Sequence, residues 1–129
     1  MSIVGTEYPP ELLLAPDLFP GVIAGEKTCT IRTGNRPIGE GAMIIRSNDG
    51  SIIWEEFDSI LVRVTRVKHR TFKEITVSDL AAEGLQPWRY LWITPLMRRA
   101  FLNDMRRFYP DITPKSDVTV VHFKFSGDI

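Results

Sequence analysis

Lys27, Thr28, Thr30 and Arg32 lie within six positions of one another in a chain of 129 residues. An amine beside two hydroxyls, with a guanidinium a step further on, can activate a nucleophile or hold an anion. Written out as Gly25-Glu26-Lys27-Thr28-Cys29-Thr30-Ile31-Arg32, the segment stands where helix punctuation gives way to strand-forming residues. The same letters also write an ordinary solvated edge strand, so spacing alone leaves both readings open.

The elements around the segment decide how these side chains meet. Leu18, Val22 and Ile23 form a short apolar helical stripe, and Gly25 stands where a left-handed residue would end that helix. Thr28 to Arg32 reads as a strand. Its period of two sends Cys29 and Ile31 to one face and Thr28, Thr30 and Arg32 to the other. Residues 1–16 read as an N-terminal arm with a short helical piece at Glu11 to Leu14, followed by a single domain over residues 17–129. Ala42 to Ser47 predicts a strand, Asn48-Asp49-Gly50 a tight turn, and Ser51 to Trp54 a return strand. Ile60 to Lys68 predicts a long strand with Ile60, Val62 and Val64 on one face. Thr76 caps a helix over Val77 to Glu83 that Gly84 ends. A second helix opens at Thr94 and Pro95 with the stripe Met97, Phe101, Met105 and Phe108, and Asp117 to Phe125 is the last strand. Strands on both sides of a helical insertion predict an α+β fold whose closed form is a small β-barrel with flanking helices.

The pattern Gly-x-Lys-Thr-x-Thr-x-Arg after a short helix resembles the opening motif of the ASCH domain. The resemblance continues, in order, through Val67-Lys68-His69-Arg70-Thr71-Phe72, Asp79-Leu80-Ala81-Ala82-Glu83-Gly84 and Val118-Thr119-Val120-Val121-His122-Phe123. It implies a PUA-like β-barrel associated with RNA, and in some members a hydrolase: an amidohydrolase acting on N4-acetylcytidine. By the same resemblance Lys27, Thr30 and Glu83 fall on the catalytic lysine, threonine and glutamate. Thr30 would supply the hydroxyl, Lys27 the base once burial or the nearby Arg32 lowered its pKa, and Glu83 an orienting or proton-shuttling carboxylate. Arg32, Thr28, Trp88 and Arg89 are the candidate substrate contacts. The interleaved Trp88-Arg89-Tyr90-Leu91-Trp92 could stack a base or pack a connection onto the barrel. This stretch, followed by Thr94-Pro95, makes the chain look like the longer ASCH branch. Lys68, His69 and Arg70 form a basic cluster suited to a phosphate backbone, and equally normal on a solvated surface.

Composition narrows the partners. Hydrophobic residues at 43% and charged residues at 25% are ordinary for a globular domain. Sixteen Lys plus Arg balance 16 Asp plus Glu, so no global field draws in duplex nucleic acid. One cysteine, Cys29, excludes an internal disulfide, and two histidines distant in sequence make a poor metal set. No cofactor and no metal are expected. No apolar run approaches the ~18 residues of a membrane span, and no secretory signal is read. The expectation is a cytoplasmic monomer without membrane partner. It would act on a modified nucleoside or single-stranded RNA as a metal-independent amidohydrolase, or else bind RNA or a modified nucleotide without turnover.

Overall fold

The computed structural model describes residues 10–84 and 94–126. Five strands, β1 (Glu11–Leu14), β2 (Cys29–Thr33), β3 (Gly41–Ser47), β4 (Ser59–Thr71) and β5 (Asp117–Phe125), are interleaved with three helices, α1 (Phe19–Ile23), α2 (Val77–Glu83) and α3 (Thr94–Met105). The sheet order is β1-β3-β4-β5-β2, with β1 parallel to β3 and every other pairing antiparallel. The two edge strands come back toward each other, since the Arg32 guanidinium on β2 donates to the Leu13 carbonyl on β1 at 2.6 Å. The sheet is thus curled into a half-barrel in an α+β fold.

Alternation along the strands builds two cores on opposite faces of this sheet. Inside the curl, Met43, Ile45, Ile60, Val62, Val64, Val121 and Phe123 pack with Phe19 and Val22 of α1. On the outer face, Cys29, Ile31, Val118 and Val120 pack under Leu80 of α2 and Met97, Phe101 and Met105 of α3. Both faces of β2 and β5 are therefore covered, which is why β5 is buried without alternation from Val118 to Val121. An irregularity between Val64 and Arg66 shifts the pairing of β4 with β5 midway along the strand.

Three expectations are corrected. Glu11 to Leu14 is a strand, not a helical piece: Leu12 and Leu14 are buried and Glu11 and Leu13 exposed, a period of two that four residues cannot satisfy as a helix. Ser51 to Trp54 is not a return strand. The chain turns at Gly50 (φ +80°), but the residues after it form only an isolated bridge from Trp54 to Phe57, and β3 takes β4 as its antiparallel partner. The β-branched run of β4 offers the longer and more apolar ladder. Phe108, the fourth residue of the α3 stripe, is 70% exposed. The helix ends at Met105, and the turn that follows carries Phe108 off the buried face.

This difference gives a stability test. Met97→Ala removes a fully buried side chain and should cost about 2–5 kcal/mol. Phe108→Ala should stay within about 0.5 kcal/mol of the parent. Urea unfolding of the two variants checks the contrast, and a large loss in Phe108→Ala would place that ring in the core after all.

Candidate functional site

The site begins with a turn. α1 ends at Ile23, and Gly25 takes φ +79°, a left-handed value that favours glycine. The N–H groups of Glu26 and Lys27 then both donate to the Gly21 carbonyl, at 2.8 and 3.0 Å. The chain leaves this turn into β2, an edge strand whose outer backbone groups find no neighbouring strand in the sheet. The C-terminal end of α2 takes that place. Thr28 N–H donates to the Ala82 carbonyl at 2.8 Å, and Ile31 N–H donates to Glu83 Oε2 at 3.0 Å. α2 is held for this role by its ends: Thr76 and Asp79 form a reciprocal capping box, and Gly84 (φ +125°) closes the helix.

Lys27 folds back over the junction. Its Nζ donates to the Cys29 carbonyl (2.8 Å), to the Glu83 carbonyl (2.9 Å) and to Glu83 Oε1. Three acceptors match the three protons of an ammonium, so in this arrangement Lys27 is a donor that grips Glu83. The expected role of Lys27 as a free base finds no support in this geometry. The pair is almost dry, with side chains 6% and 13% exposed for Lys27 and Glu83. Burial pushes the Glu83 carboxyl up from the ordinary carboxylate range, against the pull of Lys27, Arg32 and the Ile31 N–H.

Glu83 also faces a cavity of about 710 Å³, together with Thr30, Ile31 and Arg32. The volume suits a small-molecule ligand. Thr30 is 4% exposed and lies opposite Val121, on the inner face of the sheet, as the period of two implies. Arg32 Nε is the one buried side-chain nitrogen or oxygen among the described residues that has no hydrogen-bond partner. Thr30, Arg32 and Glu83 thus converge, with Lys27 one hydrogen bond behind. Thr28 is half-buried and does not line the cavity. Trp88 and Arg89 lie outside the described residues.

The basic cluster divides. Lys68 is not a surface cation: its Nζ bonds Asp79 at 2.6 Å, and His122 Nε2 meets the same carboxylate at 2.9 Å. Burial pushes the Asp79 carboxyl up, but the bonds from Lys68, the Thr76 N–H and His122 bring it out below its ordinary value. His69 and Arg70 are exposed. Sequence reasoning missed this second ion cluster, although Asp79 and Glu83, four apart on α2, were a signal that one helix face carries two carboxylates. Cys29 lies directly across from His122, yet burial, followed by the charge of Glu83, drives its thiol far above the normal range. A thiol so held is no nucleophile. Among the described residues no three of His, Cys, Asp and Glu come together as metal ligands. No described helix is long and apolar enough to cross a membrane.

This fold is similar to that of solved ASCH-domain structures. No family model matches the chain, and no curated protein matches it in sequence. Solved structures do. An ASCH domain from Lactobacillus crispatus JV V101 is 12% identical, with a TM-score of 0.59 over 97% of this chain and 85% of the other. A protein from Enterococcus faecalis V583 in the family model DUF984 is 17% identical, with a TM-score of 0.58 over 93% of this chain and 82% of its own. A mutant ASCH protein from Zymomonas mobilis is 13% identical, with a TM-score of 0.53 over 88% of this chain and 67% of the other. The likeness read from the motifs therefore holds at the level of fold.

Proposed function

We propose that the protein is a metal-independent amidohydrolase that removes an acyl group from a modified nucleoside of the N4-acetylcytidine kind. The observation that carries the reading is the convergence of Thr30, Arg32 and Glu83 on one cavity, with Lys27 gripping Glu83 from behind. A carboxyl raised by burial is suited to passing a proton. Thr30 Oγ attacks the acyl carbon while its proton passes to Glu83. The C–N bond breaks as Glu83 returns that proton to the departing amine. Water, deprotonated by Glu83, then cleaves the acyl-threonine ester and regenerates the hydroxyl. The unpartnered Nε of Arg32 is a donor for the carbonyl oxygen as it gains charge.

A second reading rests on a separate observation. On β4 and β5 the exposed Arg63 and Lys124 stand directly opposite each other, with exposed Arg66 and Arg70 further along. Like charges paired across strands repel, and a bound phosphodiester would relieve that repulsion. This stripe supports binding of single-stranded RNA without turnover.

Incubation with N4-acetylcytidine separates the readings. The first expects release of cytidine, unaffected by a chelator and lost in Thr30→Ala at unchanged helix content by circular dichroism. Absence of cytidine together with tight, salt-sensitive RNA binding would favour the second and exclude the first.

A further inference from the structure

The cavity is much longer than its reactive end. From Thr30 and Glu83 it runs between the β1 edge and the C-terminal part of α3, where Leu13, Leu18, Phe101, Met105, Phe108 and Tyr109 line it. Three of these are exposed large hydrophobics: Leu13 at 55%, Leu18 at 41% and Phe108 at 70%. Apolar side chains gathered at one rim and left in water mark a place where a ligand or partner settles. Phe108 is also the residue that the helical stripe assigns to the core. Its escape puts an aromatic ring at the mouth of the cavity.

The charges at this rim narrow the occupant. Asp17 and Asp104 line the rim against a single Arg107, while at the inner end Arg32, with one donor on the Leu13 carbonyl, stands against the Glu83 carboxyl. A rim with more carboxylates than cations repels a phosphodiester. We infer that the substrate is an uncharged amide whose acyl part is an apolar chain longer than acetyl, the amide lying at Thr30 and Glu83 and the chain running along α3 toward Phe108. This inference rests on the hydrolase reading for its chemistry, but not for its binding.

The test is an N4-acyl series on cytidine (acetyl, butanoyl, hexanoyl and octanoyl) followed by both hydrolysis and calorimetric binding. Each buried methylene should raise kcat/KM about fourfold until the chain reaches the rim. Phe108→Ser and Leu18→Ser should flatten that dependence. Both side chains are exposed, so folding survives their replacement. Equal kcat/KM across the series would overturn the inference and leave the hydrolase standing. Tighter binding of the hexanoyl than the acetyl compound, lost in Phe108→Ser but without cytidine release, would uphold the inference and defeat the hydrolase reading. Displacement of the hexanoyl compound by unmodified single-stranded RNA at lower concentration would overturn the inference.

Discussion

Glu83→Gln should lower turnover of the acylated nucleoside by about 10²- to 10⁴-fold, the range that one positioned proton-transfer group supplies. The change removes the titrating group while keeping the volume. Gln can still accept at one oxygen, either from Ile31 N–H or from Lys27, but not from both as the two carboxylate oxygens do. A loss of stability of about 3–5 kcal/mol, from leaving the buried Lys27 ammonium without its anion, should accompany the loss of rate. The pH profile separates the two effects. Burial raises the Glu83 carboxyl, so as base it is disabled when pH falls through that raised value. The acid limb of kcat/KM in the parent should therefore lie above the ordinary carboxylate value of ~4.3. In Glu83→Gln the residual rate should show no such limb. A variant with full activity, or with the limb unmoved, would take Glu83 out of the mechanism.

The parts of this arrangement that are local in sequence are legible there, and the parts made by distant contacts are not. Thr76 and Gly84 mark the ends of α2 because capping is chemistry of neighbouring residues, and Asp117–Phe125 declares itself as a strand by the β-branched run Val118, Thr119, Val120 and Val121. The division of β2 into a Cys29–Ile31 face and a Thr30–Arg32 face follows from the period of two alone. Glu11 to Leu14 misleads because four apolar-rich residues carry too few periods to separate helix from strand. Phe108 misleads because spacing extends a stripe past the point where the helix stops. The grip of Lys27 on Glu83 spans 56 positions, and only the motif resemblance links the two residues in the sequence. Lys68 looks like one cation in a basic run, since nothing in its neighbourhood announces the Asp79 carboxylate beneath it.

Lys27→Ala carries the largest expected cost to the fold. The substitution leaves a buried carboxylate without its cation and deprives the Cys29 and Glu83 carbonyls of a donor. Removing one partner of a buried pair costs about 3–5 kcal/mol, a large part of a small domain's total stability. The β2 edge should loosen first, because Glu83 is what satisfies Ile31 there. The sign of the pH dependence follows from the uncompensated charge. Below the raised value the Glu83 carboxyl is neutral and the orphaned site costs less, so the gap between variant and parent should narrow as pH falls and widen as it rises. Lys27→Met combined with Glu83→Gln removes both charges at similar volume and should recover part of the loss, since a neutral replacement of a whole buried pair is often tolerated. Urea midpoints of the parent, Lys27→Met, Glu83→Gln and the double variant, taken at two pH values, make this a complete cycle. Were Lys27→Ala to unfold within about 0.5 kcal/mol of the parent at neutral pH, the pair would not be what holds the edge strand to α2, and the siting of Glu83 at the cavity would need another cause.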